Sequence, residues 1–183
     1  VERGEVDLTV PEMAAPANWE IDREASSVRF RASQNDRSFE GGFGRWNAGI
    51  LLNPEDPSAE GEIEAVIDLA SADAGTSERN DALPGQDWFD TARHPVAIFK
   101  SNDIEAIGDG AYAAEGTLTI KGITREVSMP FQLDIDEEGR AVADGSVILD
   151  RSQFGVGAGD FAEGNWIGLE VEVLLHIEAE PGR

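Results

Sequence analysis

The side chains able to do chemistry are limited in kind and poorly assembled for catalysis. Asp87, Asp90 and His94 fall close together, with Asp90 and His94 at helical i, i+4 spacing. Such a trio could hold a metal, but two histidines and no cysteine are a thin donor set for a zinc-type centre. Pro95 directly follows His94 and reads as the end of a turn. Asp134-Ile135-Asp136-Glu137-Glu138-Gly139 superficially resembles the opening of a calcium loop. The position that should supply a bidentate glutamate is Gly145, however, so a solvated hairpin turn fits better. Ser26, Ser27 and Ser152 have no basic partner at a recognisable spacing, and glycine patterns that cradle nucleotide phosphates are absent. Carboxylates are abundant, yet nothing singles out a glycosidase-type pair. What remains is Arg79 and Asp90, in the same stretch as the adjacent aromatics Trp88 and Phe89, and Arg151 further along the chain. A guanidinium among them could hold a carbonyl or a phosphate, or an Arg–Asp pair could pin a cap to the body of the fold. This is the chemistry of binding; no enzyme, metal or catalytic residue is expected.

The elements that must position these groups follow from periodicity. Residues 76–101 are the one stretch that departs from strand-like alternation. Thr76-Ser77-Glu78 can cap a short helix running to Leu83, which Pro84-Gly85 stops. A second short turn around 87–92 carries Trp88 and Phe89, and a strand resumes at Pro95. Two neighbouring aromatics in such an insertion call for an apolar surface, which the open end of a β-barrel or sandwich supplies. Elsewhere apolar residues alternate with polar ones: Val28, Phe30 and Ala32; Ile63, Ala65, Ile67 and Leu69; Tyr112, Ala114, Leu118 and Ile120. The clearest run is Val127, Met129, Phe131, Leu133 and Ile135, with Pro130 on its outward face marking an edge or a bulge. A last strand over 166–177 carries Ile167, Leu169, Val171, Val173, Leu175 and Ile177. Glycines 41, 42 and 44 among Phe39, Phe43 and Trp46 imply sharp bending or close approach of a ligand. With strands at 96–101 and 141–150, this gives about eight strands joined mostly by short turns: an all-β, antiparallel barrel or two-sheet sandwich with one helical cap insertion.

Composition narrows the partners. The 183 residues carry 37 acidic and 14 basic side chains, a net charge of −23. That charge opposes binding to nucleic acid and to anionic membrane surfaces, and disfavours tight self-association beyond a monomer or weak homodimer. No apolar run approaches membrane-spanning length. Residues 1–17 are acidic, contain Pro11 and Pro16, and read as a loosely ordered leader before a single domain over 18–180. The absence of cysteine, and a start at Val1 rather than methionine, agree with a periplasmic or secreted protein whose signal peptide has been removed.

Several segments in order resemble the YceI-like family, lipocalin-like β-barrels regarded as binding polyisoprenoid or other long-chain lipids. They are Trp19-Glu20-Ile21-Asp22 with Ser26-Ser27-Val28-Arg29-Phe30, then Gly42-Phe43-Gly44-Arg45-Trp46, Ile67-Asp68-Leu69-Ala70-Ser71, and Arg79 with Leu83. Trp88-Phe89-Asp90, His94-Pro95 and Phe99-Lys100-Ser101 follow. The most specific piece is Gly116-Thr117-Leu118-Thr119-Ile120-Lys121-Gly122-Ile123-Thr124-Arg125-Glu126-Val127, with Asp150-Arg151-Ser152-Gln153-Phe154-Gly155 after it. Histidines common in the family are replaced here by Ala25, Gln34 and Ala82, and the usual Arg-Asp pair reads Arg79-Asn80. No histidine-based headgroup contact therefore carries over.

The resemblance implies a lipocalin-like barrel whose interior holds an isoprenoid or quinone-type lipid, with no other cofactor. The residues expected against that ligand are Phe30, Phe43, Trp46, Arg79, Leu83, Trp88, Phe89, Phe99, Leu118, Ile120, Met129, Phe131, Arg151, Phe154, Trp166 and Leu169. Access is expected past Trp88 and Phe89, with release requiring the cap to shift. The wording of Gly44-Arg45-Trp46 and of residues 82–90 is similar to a proteobacterial branch in which some proteins are fused to or neighbour cytochrome b561-type membrane proteins, which implies such a partner and a periplasmic setting. The alternative is a structural or surface-interaction β domain whose core is filled.

Overall fold

Alternating side chains and two-residue turns build most of the chain. The computed structural model describes residues 18–53, 55–59, 61–164 and 166–182; the expected leader over 1–17 lies outside them. Among the described residues eleven strands form one antiparallel sheet: β1 (Trp19–Ile21), β2 (Ser27–Gln34), β3 (Arg37–Phe43), β4 (Trp46–Leu51), β5 (Glu62–Asp68), β6 (Ala72–Asp73), β7 (Val96–Gly108), β8 (Ala111–Ile120), β9 (Ile123–Ile135), β10 (Ala141–Asp150) and β11 (Glu170–Pro181). The sequence suggested about eight. The glycine-rich stretch over 39–48, where bending was expected, divides at Gly44-Arg45 into β3 and β4, and β1 and β6 are too short to show a period.

The strands lie in the order β4-β5-β7-β8-β9-β10-β11-β2-β3-β6, with β1 pairing the far end of β11. The sheet curls into a half-barrel rather than a continuous closed ladder. Its end strands β4 and β6 are not neighbours, and the gap near β4 is bridged where the Asn18 N–H donates to the Ile50 carbonyl at 3.0 Å.

Lys121 (φ 55°) and Gly122 (φ 77°) make the tight β8–β9 turn, with both residues in the left-handed conformation that a two-residue hairpin requires. Asn35 (φ 52°) and Asp36 (φ 62°) do the same between β2 and β3. The Asp134–Gly139 segment is a hairpin connection in which the Asp136 carboxylate accepts the Glu138 and Arg140 N–H groups, each at 2.9 Å. That carboxylate serves the backbone of the turn, as the misplaced glutamate position foretold.

The helical insertion is α1 (Ser77–Ala82), capped by the Thr76 hydroxyl, which accepts the Arg79 N–H at 3.3 Å. A run of turns over 84–94 follows it and carries Trp88 and Phe89. At the opposite end of the barrel Trp19, Leu52, Ile104, Ala114, Ala141 and Ala179 pack into a plug. The Trp19 indole there satisfies its N–H on the Leu52 carbonyl at 3.0 Å. One end is therefore stopped by packed side chains and the other by the insertion.

Candidate functional site: an apolar cavity inside the half-barrel

Every long strand turns one apolar face inward, and between the plug and the cap those faces do not meet. They enclose a cavity of about 750 Å³. Val28, Phe30 and Ala32 of β2 face it, as do Ile63, Ala65 and Ile67 of β5, Val127, Met129 and Phe131 of β9, and Val171, Val173 and Leu175 of β11. Small residues keep the interior open: Ala48, Ala65 and Ala143 occupy positions where a larger side chain would reach the axis. Gly41 performs a related role from β3. A side chain there would collide with the Phe30 ring and the Asp73 carbonyl, so the glycine leaves that space to the aromatic. Phe30, Phe43 and Phe89 then form a tilted series, with ring centroids 5.6 and 6.2 Å apart, from the wall to the cap.

Among the described residues, polar side chains reach the cavity only near the cap: Gln34, Glu78, Arg79 and Arg151. The Arg79 Nε–H donates to Gln34 Oε1 at 2.9 Å, an Nη donates to the Ala74 carbonyl at 3.0 Å, and the guanidinium lies 3.9 Å from the centroid of the Phe39 ring. Gln34 thus stands at a position where the resemblance would have placed a histidine. Burial lowers the pKa of Arg151, which is only 4% exposed. Its Nε donates to the Gly168 carbonyl (3.0 Å), one Nη to Val156 and Gly157 (2.8 and 3.1 Å), and the other to Phe161 and Ile167 (both 2.7 Å). The expectation of an Arg–Asp pin is corrected here. Arg151 pins the structure through backbone carbonyls, and Asp90 faces Arg93 at 3.9 Å instead.

The cap is stitched to its surroundings by further bonds. The Asp87 carbonyl accepts the N–H groups of Gly157 and Ala158, both at 2.6 Å. The Lys121 ammonium donates to the carbonyls of Gln86 (2.6 Å) and Gly155 (2.8 Å). Trp88 packs on Phe161 with centroids 4.9 Å apart. His94, the other member of the trio weighed for metal binding, lays its ring against Gly122.

Of the residues expected at a ligand, Phe30, Phe43, Trp46, Arg79, Leu83, Trp88, Phe89, Phe99, Leu118, Ile120, Met129, Phe131, Arg151, Phe154 and Trp166 line the cavity. Trp166 does so from the rim, 54% exposed, and outside any strand. Leu169 does not line it; it lies just before the last strand, which begins at Glu170, and packs against Gly164. Among further lining residues are Phe161 and the inward residues Val147 and Leu149. The first lay in a segment without periodicity, whereas the other two were legible as alternate positions of the strand at 141–150. Away from the cavity, Glu64 is buried on the outer face of β5; one carboxylate oxygen lacks a partner among the described residues, and burial raises its pKa.

Comparison with known proteins agrees with this architecture. The YceI-like domain model matches residues 19–179. A UPF0312 protein of Pseudomonas aeruginosa is 30% identical over 173 residues, which cover 90% of this chain and 87% of that protein. The crystal structure of BcnA from Burkholderia cenocepacia superimposes with a TM-score of 0.82 at 31% identity, covering 87% of this chain and 99% of that one. A polyisoprenoid-binding domain from Saccharophagus degradans shares the fold, with a TM-score of 0.73 and 20% identity over 90% of this chain and 99% of that one.

Proposed function

The chain belongs to the YceI-like family, and from that premise we propose that it is a carrier that binds one long-chain isoprenoid, such as a polyprenyl or quinone-type lipid, inside the half-barrel. The observation that carries this reading is the cavity of about 750 Å³, apolar along its length and polar only beside the cap. Pockets that hold small ligands fall in the range of about 300–1,000 Å³ and combine apolar walls with a few placed polar groups. Burying a hydrocarbon tail there is favourable by about 25 cal/mol per Å² of apolar surface. The Gln34–Arg79 pair at the cap end is the candidate contact for a headgroup, since Arg151 has its donors committed to carbonyls. The similarity to a polyisoprenoid-binding domain supports the same ligand class. This is a binding protein, with no reaction step assigned to it. The periplasmic setting and a cytochrome b561-type membrane partner belong to the same proposal and rest on the wording of the cap segment. A filled-core interaction domain, the alternative reading, does not explain the hollow.

Native mass spectrometry of the purified protein, before and after incubation with geranylgeraniol, tests the proposal. A one-to-one adduct is expected. Ala65→Trp, which fills the cavity from β5, is expected to abolish the adduct while circular dichroism stays unchanged. An adduct that survives this substitution would place the lipid elsewhere.

A further inference from the structure

The cap is tied to its surroundings at several separate points, which makes it a poor door. A weaker place lies in the side of the barrel. The ladder between β9 and β10 runs from Ile135–Ala141 only to Phe131–Gly145, although β9 continues back to Ile123 and β10 on to Asp150. Over the same length β10 remains fully paired with β11, and β9 with β8.

The sequence supplies the cause. The two-residue turn at Lys121-Gly122 makes Ile123 a hydrogen-bonded partner of Ile120, so odd-numbered residues of β9 direct their backbone polar groups to β8. The Leu133 N–H to Gly110 carbonyl bond (2.8 Å) obeys that parity, and the Asp136 N–H to Arg140 carbonyl bond (2.9 Å) shows even residues bonding toward β10. The next even donor beyond Gln132 is residue 130, a proline with no N–H. The rung fails at the residue where the ladder ends. This is the edge that Pro130 signalled, set inside the sheet rather than at its margin. The inner lips of the opening are Val127, Met129, Val147 and Leu149, all of which line the cavity. On the outside Ile148 is 62% exposed. The far end of the gap is tied where the Arg125 Nε–H donates to the Gln153 carbonyl at 3.1 Å.

We infer that the unpaired seam between β9 and β10, from Pro130 to Arg125, is a lateral portal through which the lipid tail enters and leaves the cavity. Parting these lips breaks no β-ladder bond and needs only side-chain motion, for which the unbranched Met129 is suited. Moving the cap would break the bonds accepted by the Gln86 and Asp87 carbonyls and the Arg79–Gln34 bond together. The inference rests on the carrier reading and replaces the access route past Trp88 and Phe89 expected from the sequence.

Because the chain has no cysteine, the test can be made by tethering. Ser128→Cys with Ile148→Cys, joined by a short thiol-specific linker cleavable by reductant, closes the seam. Gln86→Cys with Lys121→Cys, joined likewise, locks the cap. Stopped-flow fluorescence of retinol, an isoprenoid alcohol, reads ingress and exit. The seam tether is expected to slow both rates by about tenfold or more, with recovery on reduction, while the cap tether leaves them within about twofold of the untethered protein. Retinol binding at unchanged rates through a tethered seam, or slowing by the cap tether instead, overturns the portal and leaves the carrier reading standing. Failure of the untethered protein to bind retinol at all removes both.

Discussion

At the scale of single residues the cap end contains two arginines with different duties. Arg79 keeps part of its guanidinium beside Gln34 and Phe39 at the cavity surface, whereas Arg151 spends its donors on five carbonyls spread over residues 156–168. A lysine offers three donors on a point charge and cannot span that arc. Arg151→Lys is therefore expected to destabilise the fold by about 3 kcal/mol, since several buried acceptors lose a charged donor at about 1–3 kcal/mol each and such losses add incompletely. Urea denaturation measures it. A variant with an unshifted midpoint but altered lipid preference would return Arg151 to the ligand. Sequence inspection could see that Arg151 mattered but not what it held, because a backbone carbonyl has no residue type. The same bonds explain the misplaced start of the last strand. Residues 166–169 alternate like a strand, and Ile167 even bridges to Gln34, but the Ile167 and Gly168 carbonyls are committed to Arg151 and the Leu169 carbonyl accepts the Arg151 backbone N–H at 2.9 Å.

Among elements, the most specific wording in the chain, residues 116–127, is the β8–β9 hairpin, and its glycines are explained by contacts. Gly116 sits opposite Ser101 beside the irregularity between Ser101 and Asp103 in β7. A side chain on it would run into the Lys100 carbonyl oxygen and stand 2.9 Å from that carbonyl's carbon and 3.0 Å from the Ser101 Cα. Backbone cannot yield as a flexible side chain can, so Gly116→Ala is expected to cost about 2–3 kcal/mol, read as a lowered urea midpoint. A neutral result would mean that β7 shifts freely at its bulge. The long strands were legible from period two because one face is buried along each; the run from Val127 to Ile135 lines the cavity or packs on the plug as its alternation implied. The seam was legible only in part. Pro130 announced an interrupted ladder, but on which side it opened depended on the parity fixed by the turn at Lys121-Gly122 and on which strand lay alongside.

For the molecule as a whole, the excess of acid outlasts its pairing. The basic side chains are already shared: Arg140 bonds Asp22, Glu178 and Glu180, while Arg31 bonds Glu40 and Glu172. With 37 carboxylates against 14 cations, pairing every cation singly still leaves the whole net charge of −23 as mutual repulsion over a thin, hollow wall. Raising ionic strength from about 0.01 M to about 1 M shortens the screening length from about 30 Å to about 3 Å, which removes repulsion between distant carboxylates but weakens close bridges less. Sodium chloride is therefore expected to raise the thermal midpoint by on the order of 5 °C across that range, given about 2–4 °C per kcal/mol for a domain of this size. A nonionic osmolyte at matched osmolality separates screening from general exclusion. A midpoint that stays level or falls with salt, while the osmolyte control behaves normally, would mean that the arginine-centred ion pairs hold the sheet more strongly than the surplus charge strains it.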